Sequence, residues 1–273
     1  MTGREFFGTG ACAAALIAVL SACVTTAPVP TIEPLADADA IARLKRDAAG
    51  RARADTVIKA ALPGLEGVVV NATVDVACEA PKKLSVSVRS FFEVPQQVLV
   101  ADGGVVTLYD ATSGAPRFAQ GPANDKSLQR VLGLPLAPDD AVALLLGRAP
   151  LEPDKPGYLA PRVRVFAMDA VARTYTVAIE RVGRGALRWT ARIDDDAVVA
   201  VSAFTGDGRH LLDATLAEHA SHAGVLFARR VTVTTATGAV VVLTVQQGRY
   251  NGEPLAPEAF TLALPPGVAV EKL

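Results

Sequence analysis

Hydrophobic and polar residues follow a helical spacing at the start of the folded part of the chain and a strand-like alternation in most of the rest. Over residues 37–62, apolar side chains recur three and four positions apart, as at Ile41 and Leu44. This spacing predicts a helix that starts at the beginning of that range, is interrupted near Gly50 and stops at residues 63–64, a Pro-Gly pair.

Alternation with a period of two begins soon after this segment and is clearest over residues 84–89, where Leu, Val and Val alternate with Ser, Ser and Arg. Such alternation is typical of a strand with one face in the core and one in water. Turn-forming Gly, Pro and Asp residues separate the runs. The predicted strands are residues 67–78, 84–92, 97–101, 105–109, 162–166, 174–181, 187–193, 198–204, 224–234 and 239–247.

Two short helices divide these strands into two groups. The pattern predicts helices over residues 125–132 and 138–146, the second with Pro138 and two acidic residues in its first turn. One continuous domain over residues 37–273 is the simplest organisation. We predict a mainly β fold with some α: an open, unclosed antiparallel β-barrel of about ten or eleven strands, with helices capping the concave face.

The N-terminal residues have the pattern of an export signal. A short apolar stretch follows Arg4 and ends in Leu-Ser-Ala-Cys at Cys23, and it is shorter than the roughly 20 residues that span a membrane. This tetrapeptide resembles the lipobox of bacterial lipoproteins. The resemblance implies that residues 1–22 are a signal peptide and that Cys23 carries a diacylglyceryl group. The alternative is an ordinary cleavable signal with a chance cysteine.

The segment after Cys23 predicts a tether. Residues 23–36 hold three prolines and few charges, which favours an extended, unpacked chain between the lipid and the fold. Of the other cysteines, Cys12 lies in the signal and Cys78 lies in a predicted strand. A lone cysteine makes no internal disulfide, so we interpret Cys78 as a small buried hydrophobe in preference to a reactive thiol.

Composition and motifs argue against several classes of function. The formal net charge is −1 and aromatic residues make up 5% of the chain, so a nucleic-acid surface is not predicted. No common hydrolase, zinc or nucleotide-binding motif occurs. His219 and His222, with Glu218, would hold a metal if they shared a helical turn, but a solvated connection between strands is favoured. Residues 194–196, three aspartates, indicate a charged hairpin turn. We expect no enzyme, no cofactor and no metal.

An apolar concave face would bind hydrophobic ligands if the helices leave it unfilled. Residues 131–138 and 141–147 are rich in aliphatic side chains and poor in aromatic ones, which suits acyl chains. The alternative, favoured by composition alone, is that these leucines only fill the core. The candidate cavity residues are Val86, Val88, Leu132, Leu134, Leu136, Leu144 and Leu145.

The order of several short segments resembles the Lol family, which comprises the periplasmic lipoprotein carrier LolA and its outer-membrane acceptor LolB. These segments are residues 99–110, Gly121, residues 132–138 (LGLPLAP) and residues 145–150 (LLGRAP). They lie within residues 80–150, and the last two are more similar to the acceptor branch. The resemblance implies an open β-barrel with helices as a lid over a hydrophobic cavity for lipoprotein acyl chains.

Two features refine this resemblance. In the carrier branch, an arginine just before the proline that opens the second strand helps to hold the lid, whereas Ala80 precedes Pro81 here. Acceptors project an apolar side chain from a hairpin loop toward the membrane, and the matching stretch here contains Phe91 and Phe92. Adjacent strand residues point to opposite faces, so one of these phenylalanines is either exposed or covered by a second layer.

The resulting hypothesis is a lipid-anchored protein that faces the periplasm from the outer membrane. It would bind lipid or lipoprotein acyl chains, receive them from a soluble periplasmic carrier and contact no nucleic acid. Val24 follows Cys23 at a position where Asp favours inner-membrane retention in some bacteria, so the outer membrane is favoured. The competing hypothesis is a non-catalytic scaffold or assembly lipoprotein that uses the same fold for protein contacts.

Overall fold

The computed structural model describes residues 31–45, 50–61, 69–89, 94–112, 115–151, 161–181, 184–222, 224–264 and 266–273. Cys23, most of the predicted tether, Phe91 and Phe92 lie outside these residues. Within them, no helix is both long enough and apolar enough to cross a membrane.

A single sheet of 14 strands dominates the described part of the chain, together with three α-helices and a short 3₁₀ helix. The α-helices are α1 (Asp37–Lys45), α2 (Asp125–Leu132) and α3 (Pro138–Leu145), and the 3₁₀ helix is Pro257–Phe260. The strands are β1 (Arg51–Ala61), β2 (Val69–Glu79), β3 (Lys83–Arg89), β4 (Pro95–Ala101), β5 (Val105–Asp110), β6 (Arg117–Pro122), β7 (Arg162–Asp169), β8 (Thr174–Arg181), β9 (Gly185–Arg192), β10 (Val198–Phe204), β11 (His210–His222), β12 (Val225–Thr235), β13 (Val240–Tyr250) and β14 (Val270–Lys272).

The strand order shows why the sheet does not close. It runs β14-β6-β5-β4-β3-β2-β1-β13-β12-β11-β10-β9-β8-β7, so β14 and β7 form its two edges. Neighbours are antiparallel except for β14, which pairs in parallel with β6. The predicted class, a mainly β fold with an unclosed and largely antiparallel sheet, is confirmed. The predicted number of strands is too small.

The long N-terminal helix is a wrong prediction in its second half. Helix α1 ends at Lys45, and β1 occupies residues that the helical spacing had claimed. Ala52, Ala54 and Thr56 alternate with exposed residues along β1, and all three are buried. Because β1 pairs with β13 on one side and β2 on the other, two hydrogen-bonded ladders outweigh a weak helical pattern.

Besides β1, three further strands were not predicted: β6, β11 and β14. The connection predicted around His219 and His222 is part of β11, so these histidines are strand residues and do not share a helical turn. Glu218 has a positive φ of 56° and the pairing of β11 with β12 skips it, which marks an irregularity that obscures the alternation.

Helix α3 lies between two hydrophobic clusters. Ala143 and Leu144 belong to a cluster built mainly on strands β7–β12, whereas Val142 and Leu146 belong to one built mainly on β1–β5. Every residue from Pro138 to Leu144 is buried. Ala, Val and Leu make residues 141–144 apolar all round, as a helix buried on all sides requires, whereas the buried Asp139 and Asp140 need charged partners. The sheet therefore wraps around α3.

The start of β9 makes a close backbone contact that only glycine permits. Gly185 has φ +84°, and a Cβ there would lie 2.1 Å from the Phe204 carbonyl oxygen of β10. Gly208 has the same φ of +84°, but a Cβ there would meet nothing within 4 Å. Substitutions at Gly185 and Gly208 therefore separate the free-energy cost of the positive φ from that of the steric clash.

We expect Gly185→Ala to lower the free energy of unfolding by about 3 kcal/mol or more, because it adds a backbone clash to the strain of a positive φ. The matched Gly208→Ala change should cost only about 1–2 kcal/mol, the strain alone. Urea unfolding followed by circular dichroism measures both. Equal losses for the two variants would contradict the close contact between β9 and β10.

Candidate functional site

Burial of the inner face falls along four neighbouring strands in the same direction. At one end, Ala52, Cys78, Leu84 and Tyr250 are at most 6% exposed. Toward the other end of β1, β2, β3 and β13, the inward-facing side chains become half-buried although they stay apolar. Unlike scattered surface residues, half-buried apolar side chains that adjoin one another leave a continuous surface for an apolar ligand.

We call this surface the apolar rim. It consists of half-buried side chains from the four strands and from the helices above them, all packed against the same cluster: Ile58, Ala72, Val86, Val88, Val131, Leu132, Leu145 and Leu243. The register places three of them side by side, since Ile58 pairs with both Ala72 and Leu243.

The structure separates the seven predicted cavity residues. Val86, Val88, Leu132 and Leu145 lie together in the apolar rim. The other three pack against the cluster on the far side of α3: Leu134 is partly buried there, and Leu136 and Leu144 are each 5% exposed. The predicted cavity residues did not include the other four members of the rim, Ile58, Ala72, Val131 and Leu243. The alternation of Ala52, Ala54 and Thr56 with polar residues along β1 would have placed Ile58 on the inner face.

A separate cavity of about 240 Å³ lies beside α3. Its lining is mostly apolar and consists of Ala80, Pro81, Val142, Ala143, Pro150 and Leu151, together with Asp139 and Arg148. Burial lowers the pKa of Arg148. Ala80, which occupies the position of the carrier branch's arginine in the resemblance, presents only a methyl group to this cavity. The space beside the helix is therefore not filled by a long side chain from that position.

Ion pairs hold the first turn of α3 to the sheet. Arg181, at the end of β8, binds Asp140 through two hydrogen bonds of 2.5 and 2.9 Å. Arg184, just before β9, binds Asp139 through two of 2.6 Å. We call these four residues the helix latch. The side chains of Arg181, Asp139 and Asp140 are each at most 7% exposed, so water screens the pairs weakly.

The latch perturbs the ionisation of its carboxyl groups. Burial alone would raise the pKa of Asp139, but the hydrogen bonds and charge of Arg184, with the charge of Arg181, hold that pKa below 3.8. Burial raises the pKa of Asp140, and the bidentate contact with Arg181 acts in the opposite direction. Both carboxyl groups also lie at the N-terminus of α3, where the helix dipole favours negative charge.

The cysteine, the histidine and the acidic turn that the sequence analysis considered as candidate sites contact residues of the fold. Cys78 is 1% exposed, and burial raises its pKa to about 12, so the thiol stays protonated as a small core side chain. His219 Nε2 lies 2.8 Å from the Val198 carbonyl oxygen. In the β9–β10 turn, Asp195 pairs with Arg192 at 2.6 Å, as a charged hairpin turn predicts. Among the described residues, no group of three or more His, Cys, Asp or Glu side chains is placed to hold a metal ion.

Three solved structures have a similar fold at low sequence identity. A LolA-superfamily protein from Nitrosomonas europaea is 12% identical, with a TM-score of 0.59 over 84% of this chain and 99% of that one. A domain of a candidate outer-membrane lipoprotein-sorting protein from Vibrio parahaemolyticus is 10% identical, with a TM-score of 0.54 over 81% and 93%. A DUF1329-family protein from Desulfovibrio piger is 11% identical, with a TM-score of 0.59 over 82% and 95%.

The chain has the fold of the LolA superfamily. No protein-family model and no curated protein sequence matches it. The resemblance to the Lol family is thus confirmed for the fold, whereas the acceptor branch and the lipobox stay predictions. In this chain, α3 lies on the concave face of the sheet. It is held by the helix latch, and the position next to Pro81, where the carrier branch has an arginine, is Ala80.

We expect Asp139→Asn to lower the free energy of unfolding by about 2–4 kcal/mol near neutral pH, because it removes the buried carboxylate that binds Arg184 through two hydrogen bonds, although Arg184 keeps a 3.4 Å contact with Asp140. Since the folded-state pKa of Asp139 is below 3.8, its contribution is present above that pH and is lost as the pH falls through the folded-state value. The difference between wild type and variant should therefore shrink in acid.

Urea unfolding at a series of pH values tests this latch. The control is Asp125→Asn, which changes an exposed carboxylate in the first turn of α2 and should cost less than about 1 kcal/mol near neutral pH. A stability difference for Asp139→Asn that is constant from neutral pH down to acid would contradict the role of its charge.

Proposed function

We propose that this protein binds the acyl chains of lipids or lipoproteins at its apolar rim and catalyses no reaction. The observation that carries the proposal is the loss of burial along β1, β2, β3 and β13 without a loss of apolar character. A protein that needed this face only for its core would gain by covering it. The fold of the LolA superfamily supports the same class of ligand.

The energetics of an acyl chain fit such a surface. An acyl chain gains about 0.8 kcal/mol for each methylene removed from water and needs no directional bonds. About ten buried methylenes would supply roughly 8 kcal/mol before the costs of association are subtracted. The 240 Å³ cavity beside α3 adds a second apolar volume that a chain can reach if the helix shifts.

Helix α3 limits how deeply a ligand enters. It occupies the space between the two clusters, so a chain either lies along the apolar rim or displaces the helix. Displacement of the helix would expose the ion pairs of the helix latch or pull them apart. For scale, removing one partner of a buried ion pair costs about 3–5 kcal/mol. We infer that the rim receives the ligand first and that the latch sets the cost of deeper entry.

In the cell, the proposed role is that of an acceptor or localisation factor. Acylation of Cys23 would anchor the protein in the outer membrane with its fold in the periplasm, and a soluble carrier would supply the acylated cargo. Transfer would then need only a higher affinity than the donor's and an exit into lipid. A permanent anchor favours an acceptor over a shuttling carrier, since it adds ~0.8 kcal/mol of membrane affinity per buried methylene.

One observation favours the second candidate function, a non-catalytic scaffold. The residues from Pro138 to Leu144 fill the concave interior as protein side chains do in an ordinary core. If the interior is permanently filled, the sheet serves as a platform for protein contacts. Ligand binding at the apolar rim separates the two candidates.

The test uses a Cys23→Ser protein, which cannot be acylated, and a dansyl-labelled fatty acid whose fluorescence rises in an apolar site. We expect saturable binding, and we expect Ile58→Ser to weaken it about fivefold or more by removing apolar contact area. The matched control is Val57→Ser. Val57 is the neighbouring half-buried residue on β1, on the opposite face of the sheet, so its loss should leave binding within about twofold.

Urea unfolding of both variants separates loss of binding from loss of structure. No saturable binding by the Cys23→Ser protein would sink the acyl-binding proposal and favour the scaffold. Equal weakening by Ile58→Ser and Val57→Ser would place the ligand somewhere other than the apolar rim.

The predicted membrane-insertion residues, Phe91 and Phe92, are tested separately. Replacing both Phe91 and Phe92 by Ser should slow transfer of a bound fluorescent fatty acid to lipid vesicles, because an apolar side chain at the interface promotes contact with the bilayer. Affinity for the fatty acid in the absence of vesicles and the urea midpoint should change little. Transfer at the wild-type rate would show that these phenylalanines do not act at the membrane.

A further inference from the structure

The outer face of the sheet carries a groove that the acyl-binding site does not use. It has a volume of about 420 Å³ and lies over β7 to β10. Two phenylalanines border it, Phe166 on β7 and Phe204 on β10, and small residues line it between them, among them Ala178, Gly185 and Ala186. We call it the arginine groove, after Arg188.

Arg188 lies between the two aromatic rings. Its guanidinium carbon is 4.1 Å from the centre of the Phe166 ring and 4.6 Å from that of Phe204. The neighbours of Arg188 in the chain, Leu187 and Trp189, are buried on the inner face, so its side chain is on the outer face. The two rings hold the planar group by cation–π contact and restrict its rotation.

The hydrogen-bonding capacity of Arg188 is unused within the part of the chain that the structure describes. No carboxylate, carbonyl or hydroxyl group there accepts a hydrogen bond from it, although a guanidinium has five N–H donors. By contrast, Arg192, four residues further along the same face of β9, binds Asp195 through two hydrogen bonds. An arginine held in place by its faces, with the donors at its edge free, is arranged for bidentate recognition of a planar anion.

The charge around the groove indicates the sign of the partner. Arg164 and Glu180 form a pair at 3.0 Å and offset one another. The lining Arg181 is bound to Asp140, so Arg188 is the source of positive charge in the groove lining. Phe166 is 47% exposed at the rim of the groove and offers an apolar contact beside that charge. A ligand that matches both features carries a carboxylate next to an apolar side chain.

We propose that the arginine groove binds an acidic peptide segment of a protein partner, with an Asp or Glu carboxylate on the guanidinium of Arg188 and an apolar neighbour against Phe166. The shape favours a peptide over an anionic membrane. A planar bilayer surface reaches exposed groups such as Phe166, whereas Arg188 is half-buried between the Phe166 and Phe204 rings. The groove is on the opposite face of the sheet from the apolar rim, so the proposal is independent of acyl binding.

The test measures fluorescence anisotropy of a fluorescein-labelled, end-blocked peptide that contains two glutamates around a leucine, titrated with the Cys23→Ser protein. We expect saturable binding that weakens with added salt. Arg188→Gln should weaken it about tenfold or more, and Arg188→Lys should restore only part of the affinity, because an ammonium lacks the planar fork. The control Arg192→Gln removes a positive charge from the same face of the same strand and should leave affinity within about twofold.

A second readout follows Arg188 directly. In ¹⁵N-labelled protein, the Nε–H resonance that is absent from the Arg188→Lys spectrum should shift as the peptide is added. Absence of saturable binding, equal binding by wild type and Arg188→Gln, or an unmoved Arg188 resonance would each overturn the proposal. It would also be overturned if phosphatidylglycerol vesicles bound in an Arg188-dependent way while the peptide did not.

Discussion

The packing of α3 against both halves of the sheet is the constraint on which the rest of the structure depends. An unclosed sheet of 14 strands has two edges and an inner face too wide for its own side chains to cover. Helix α3 joins the halves because Val142 and Leu146 pack on one side while Ala143 and Leu144 pack on the other. Its acidic first turn has to be neutralised inside the protein, and Arg181 and Arg184 do this from the end of β8 and the start of β9.

This arrangement leaves one part of the inner face almost fully buried and another part only half-buried. Where α3 and α2 cover the strands, residues such as Cys78 and Leu84 are almost fully buried. Further along the same strands, Ile58, Val88 and Leu243 keep the same apolar character but are only half-buried. The apolar rim is thus the half-buried margin of the same apolar face that forms the core, and no special motif is needed to produce it.

Sequence patterns predicted this fold where a local rule decides the structure and failed where long-range pairing decides it. Helix α2 and strands β8 and β10 have the predicted boundaries, because caps, turns and clean alternation mark their ends. β1 was predicted as helix, since its pairing with β2 and with β13, the latter far along the chain, makes it a strand. The same limit applies to the site: the split of the leucines on either side of α3, and the meeting of Arg181 with Asp140, depend on tertiary contacts that no spacing encodes.

The N-terminal segment, which follows the predicted anchor in the chain, meets the sheet at its β7 edge. The Leu35 amide lies 3.4 Å from the sulfur of Met168, and Asp37 accepts a 2.6 Å hydrogen bond from the Val165 amide, so the chain enters the fold along edge strand β7. Phe166 belongs to the same strand. The tether and the arginine groove therefore share one edge of the sheet, while the apolar rim lies on β1–β3 and β13, on the other side of α3. A partner held at β7 would leave the rim uncovered, and the two surfaces would be able to act at the same time.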